Sequence, residues 1–275
     1  MMMMSDRISS VVCTILLFVV IGCIDKKDNP DSLIKNGWTR EGQVHKMIHN
    51  IYFNFPDTGY TYEAKDSLIE ECFKGLESNL KIIGFNDFTD TIQVRFLNSP
   101  EDMFWLTRTN AGGITYPFIN TLYLVANEEQ KPPLKHELMH LIVMEKWGYP
   151  NESSTWINEG LAAYAENNCN SFNVAQIYRF FMDINMLIDI DSLSNDFYAE
   201  SEMIAYHQSA AIVEHLLNNY ETGKFKKLWV NGFSEFELIY GIRFSELKNN
   251  LEKSLLKKYP TKPNIDWESF KEGCI

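Results

Sequence analysis

The sequence predicts an α+β chain with a mixed N-terminal lobe and a helical C-terminal lobe, and three observations carry that expectation. Between about positions 43 and 130, period-two and helical patterns alternate as strand, helix, strand, helix. In the middle, two helical stretches are separated by a Gly-Tyr-Pro turn, and beyond Cys169 the helical period runs almost throughout. With 275 residues, 45% of them apolar, the chain can bury a proper core as one large or two small domains. Its net charge of −12, with no basic run longer than Lys26-Lys27 or its equivalents, argues against nucleic acid or an anionic membrane surface as a partner. Solubility accounts for the charge.

The first 42 residues stand apart from the fold. Met1 to Arg7 is short and polar, Ile8 to Ile21 is an apolar run, and Gly22-Cys23 follows. The run is shorter than the roughly twenty residues a membrane span needs and suits the core of a signal peptide. Val20-Ile21-Gly22-Cys23 resembles the lipobox of bacterial lipoproteins, which implies cleavage before Cys23 and a lipid on that residue. The expectation is a signal peptide over 1–22, with an uncleaved N-terminal anchor as the alternative. In both cases the folded part is exported to the cell envelope, on the periplasmic face or the cell surface, and meets the membrane through its N-terminus. Residues 23–42, rich in Asp, Lys, Asn, Pro and Gly, read as a tether to a domain over 43–275. Asp25-Lys26-Lys27-Asp28 is similar to the charged signals that send some lipoproteins of Bacteroidetes-type bacteria to the cell surface.

Ile51 to Phe55 alternates like a strand, so His45 and His49, which flank its start with Lys46 between them, read as structural rather than metal-binding. From Tyr62 to Ile83, Leu68, Ile69, Cys72, Phe73, Leu76, Leu80 and Ile83 recur with a helical period that Gly84 closes. Thr91 to Leu97 is a second strand, and Pro100 to Thr107 a short helix. Ala111 to Thr115 reads as a glycine turn, and Ile119 to Val125 as a strand.

Pro132-Pro133 opens a helix expected to reach Lys146 or Trp147, and within it stands His136-Glu137-Leu138-Met139-His140. On a helix, His136 and His140 lie roughly 40° apart on one face, a turn from each other, as two ligands of one metal require. Glu137 projects from the same turn but cannot reach the same coordination position, and is free to act as a general base. Catalytic zinc takes three protein ligands and keeps one position open. With eighteen residues between it and His140, after the turn at Gly148-Tyr149-Pro150, Glu159 sits in Trp156-Ile157-Asn158-Glu159-Gly160-Leu161-Ala162 on a helix expected to fold back against the first and end near Asn167. The rival is an ordinary core helix with two incidental histidines.

In these residues the chain resembles the gluzincin metallopeptidases of the peptidase MA-like superfamily, whose pattern is His-Glu-x-x-His followed by Asn-Glu-Gly-x-Ala. The resemblance implies a zincin-like metallopeptidase fold, one Zn²⁺ held by His136, His140 and Glu159, Glu137 as general base, and a peptide or protein substrate. An inactive relative that binds a peptide or glycan is the alternative, as is a lipoprotein whose zinc only pins two helices together. In such enzymes the strand before the zinc helix commonly forms the sheet edge and pairs with the bound peptide. Carried over, that places Gly112, Gly113, Ile119 and Leu122 on the cleft; an internal strand with a hairpin glycine is equally compatible with the residues. The related aminopeptidases have Gly-Ala-Met-Glu-Asn here, whose carboxylate grips a free amine, whereas this chain has Ala111-Gly112-Gly113-Ile114-Thr115 and no carboxylate. Some gluzincins also carry an acid one turn after the third ligand to hold a zinc-bound histidine. Ala163 occupies that place, leaving Glu166 or backbone carbonyls.

Beyond Cys169, helices are expected over Val174 to Ile188, Ser201 to Asn219, Lys224 to Asn231 and Phe244 to Leu256. In the second of these, Tyr206 matches a phenol that stabilises the oxyanion in gluzincin aminopeptidases, with His207 as the rival donor. Outside Cys13 and Cys23, only Cys72, Cys169 and Cys274 remain, compatible with one bridge and one free thiol.

Overall fold

The computed structural model describes residues 43–151 and 154–274, so the expected signal peptide, the expected tether and Cys23 lie outside the described residues. Strands β1 (Gln43–Ile48) and β2 (Ile51–Pro56) form an antiparallel hairpin, with His45 in β1 and His49 in the turn. A short helix α1 (Tyr60–Glu63) leads into α2 (Lys65–Ile83), closed by Gly84 at φ 80°. Then follow β3 (Ile92–Leu97), helix α3 (Pro100–Thr107) capped by Ser99, β4 (Gly113–Tyr116) and β5 (Thr121–Val125). The sheet order is β1-β2-β3-β5-β4. The β2–β3 and β3–β5 pairs are parallel, and β4–β5 is antiparallel.

Two expectations about this sheet are overturned. The glycine segment is not only a turn: Gly113 begins β4, and β4 is the edge strand. The strand that precedes the long central helix is internal instead. Pro117 to Ile119 forms a 3₁₀ turn, Asn120 at φ 47° breaks the extended run, and β5 begins only at Thr121. All five β5 residues are buried because the strand is paired on both sides and covered on both faces. Leu122 and Leu124 face the main core, while Tyr123 and Val125 face a smaller cluster with Met103 of α3.

Helix α4 (Leu134–Trp147) is apolar on nearly every side, with Leu138, Met139, Leu141, Ile142 and Val143 at most 1% exposed. Such a helix is stable only as the centre of a core. It packs against α2, β4 and α5 (Thr155–Glu166). Helix α6 (Val174–Asp183) stops before the expected Ile188, since Asn185 takes φ 53° and the loop is then pinned by Gln208, which bonds both the N–H and the C=O of Ile188. Short helix α7 (Ile190–Asn195) and a 3₁₀ turn (Phe197–Ala199) precede the long α8 (Glu202–Asn219). Helices α9 (Thr222–Asn231), α10 (Phe236–Tyr240), α11 (Phe244–Lys258) and α12 (Trp267–Phe270) complete the lobe.

Cys169 and Cys274 form a disulfide, and Cys72 is a free, buried thiol. Among the described residues no helix is long and apolar enough to cross a membrane.

Candidate metal centre

The centre is assembled from α4, α5, α8 and β4. On α4, His136 and His140 project from successive turns, their Nε2 atoms 3.1 Å apart. Glu159, on the neighbouring α5, places Oε2 3.5 Å from each of them. Ligand atoms around a tetrahedral zinc at about 2.0–2.1 Å stand roughly 3.3 Å from one another, so the donor set fits such an ion in type and spacing. Burial opposes a charge on His140, but the hydrogen bond and charge of Glu159, with Glu137 and Asn158, outweigh it and raise its pKa to about 9. Burial likewise opposes ionisation of Glu159, and the two imidazoles hold its pKa well below the carboxylate range. The centre demands positive charge.

Two close approaches fix the walls. In β4, a Cβ on Gly113 would stand 2.7 Å from Glu137 Cγ and 2.8 Å from Pro133 Cγ, so only glycine lets the edge strand lie on the first turn of α4. Thr115, two residues on and therefore on the same face, donates to Glu137 Oε2 at 2.6 Å. In α5, a Cβ on Gly160 would lie 2.9 Å from Ser209 backbone atoms, and this contact draws α8 against the ligand helix. Tyr206, three residues earlier on α8, thereby lines the same 300 Å³ cleft as His136, Glu137, His140 and Glu159. Burial first, then the surrounding carboxylates, push its phenol well above the usual range, so it remains a neutral donor.

The structure thus brings together His136, Glu137, His140, Glu159, Gly113 and Tyr206. It separates the remainder. Gly112 faces Gln130, Ile119 sits on the half-exposed 3₁₀ turn, and Leu122 is sealed in the core, so none of the three lines the cleft. His207 points the other way, its Nδ1 donating to the Met203 carbonyl at 2.7 Å and its Nε2 facing Cys274. The group that holds His140 is neither Glu166 nor a carbonyl: the imidazole Nδ1 donates to Asn158 Oδ1 at 2.9 Å. Asn158 immediately precedes Glu159 in the sequence. Two further contacts had no sequence pattern behind them, Thr115 to Glu137 and the Tyr198 hydroxyl to Glu159 Oε1 at 3.1 Å.

A mixed sheet whose edge strand flanks a buried helix with paired histidines, closed by a helical lobe, is the architecture of a peptidase MA-like fold. The family model of the Peptidase MA superfamily matches residues 92–246, more than half of the 275, and the chain belongs to that superfamily. Membership points to a peptidase-type enzyme. Among solved structures, an aminopeptidase N family protein from Idiomarina loihiensis is similar, at 13% identity and a TM-score of 0.37. The match covers 84% of this chain and 46% of that one, so the chain spans less than half the length of that protein. No curated protein matches the sequence.

Proposed function

We propose that this chain is a zinc-dependent metallopeptidase in which His136, His140 and Glu159 hold the ion and Glu137 is the general base. The observation that carries the reading is the convergence of two Nε2 atoms and one carboxylate oxygen to 3.1–3.5 Å, beside a glutamate that takes no part in that convergence. Zn²⁺ bound there supplies a Lewis acid that acidifies water and polarises a carbonyl. Glu137, oriented by Thr115, takes the proton from the attacking water and delivers it to the leaving amine. Tyr206, neutral and facing the cleft, donates to the oxygen on which negative charge develops. The outer edge of β4 offers unpaired backbone groups to an extended peptide lying along the cleft. The disulfide supports an exported chain, in keeping with a lipid on Cys23.

The test uses the full-length chain purified without chelator or added metal. About one zinc per chain by elemental mass spectrometry, lost in His140→Ala, is the expected result. Glu137→Gln keeps the zinc and loses peptide hydrolysis by about two to four orders of magnitude. Full activity in Glu137→Gln refutes the mechanism. Bound zinc without turnover of any peptide leaves an inactive, peptide- or glycan-binding relative.

A further inference from the structure

A second cavity of 420 Å³ opens beside the metal cleft, and the two share Met144 and Asn158 as walls. Its remaining sides come from Tyr149 and Pro150 in the α4–α5 loop, Asn151, Thr155 and Tyr198. Among the described residues that line it, none carries a charge. Two of its walls also touch the ligands: Asn158 holds His140, and Tyr198 holds Glu159. The shared walls at Met144 and Asn158 make this cavity the neighbour of a scissile bond held at the metal centre, and successive residues of an extended peptide stand only about 3.3–3.6 Å apart.

The rim is aromatic and turned to water. Phe118 is 87% exposed and stacks on Tyr149, itself 51% exposed, with ring centroids 5.1 Å apart. Tyr198 is 69% exposed. Phe118 follows directly on the edge strand, through Pro117, which lines the metal cleft. Large aromatic surface left in water at the lip of a concave site is surface that a ligand can bury. With two phenol faces, a thioether and a proline among its described walls, the cavity suits a planar apolar ring.

We propose that this cavity is the specificity subsite, and that the substrates are peptides with an aromatic residue next to the bond to be cut. The proposal rests on the metallopeptidase reading, and hydroxamates separate the two. The full-length, zinc-loaded chain is titrated calorimetrically with acetohydroxamate and with two hydroxamate series that carry benzyl, indolylmethyl, methyl or carboxyethyl groups on one side or the other of the chelating group. In one series the aromatic members bind at least about tenfold tighter than the methyl and carboxyethyl members, the scale of a filled apolar pocket. Tyr149→Ala and Phe118→Ala, both changes at exposed rings, reduce that preference while leaving acetohydroxamate affinity unchanged. Cut sites mapped in a peptide library place Phe, Tyr or Trp at one fixed position beside the cleaved bond in the wild type, and Tyr149→Ala loses that preference. Acetohydroxamate binding with a flat side-chain series, or a preference that Tyr149→Ala leaves intact, overturns the subsite alone. Failure to take up zinc or to bind acetohydroxamate overturns the metallopeptidase reading, and the subsite with it.

Discussion

Asn158 does at the scale of one residue what the metal ligands cannot do for themselves. By accepting from Nδ1 it fixes the orientation of His140 and turns Nε2 into the space it shares with His136 and Glu159. Asn158→Ala is expected to weaken zinc affinity by about 10–100-fold with little change in fold, measured by competition with a chromophoric chelator. Tyr198→Phe removes one donor from Glu159 and leaves the other oxygen untouched, so a smaller loss is expected in the same assay. The pairing of His136 with His140 was legible because helical spacing turns a four-residue gap into a shared face. Thr115 was not, since its bond to Glu137 spans 22 residues and depends on which face of an edge strand meets the helix. Asn158 stood in the very string that located Glu159, and its side chain could have been weighed as the acceptor.

Between elements, the site depends on how closely α8 lies on α5. Gly160 and Ser209 are in contact there, and Ser209 is fully buried. Gly160→Ala places a methyl group against backbone atoms that cannot rotate away. The expected cost is about 1–3 kcal/mol in denaturant unfolding, and catalysis falls further than zinc content, because Tyr206 rides on the displaced helix while His136 and His140 do not. Helix α8 was readable from its period to within a residue, and α2 to within three, because each has one apolar face. The sheet was less so. β4 has four residues, two glycines at its entry and no strong alternation, and only pairing with β5 reveals it as the edge. The helix expected to Ile188 was too long because Asn185 adopts a left-handed conformation that a periodic apolar pattern does not register.

For the whole molecule, acid stability is set in part by a histidine turned away from the metal centre. His207 is 8% exposed, packed on Phe270 beside the disulfide, and burial lowers its pKa below 6.5. The folded chain therefore binds fewer protons at this group than the unfolded chain as pH falls through 6.5, and stability present above that value is lost below it. The melting temperature is expected to fall between pH 7 and pH 5, and to fall less in His207→Gln; calorimetric scans across that range check both. The α+β division, the two ligand helices and the helical lobe were visible in composition and period. The partner of each cysteine was not, because positions 105 residues apart share no local pattern.

That bridge has a consequence for a chain of peptidase type placed among other peptidases. Cys169 follows α5 directly and Cys274 lies beyond α12, so every helix from α6 to α12 falls inside one covalent ring. A single cut in any loop of that ring opens it without releasing a fragment. Tyr206 stays fastened to the body that carries Glu159, and the wound is silent until a reductant reaches it.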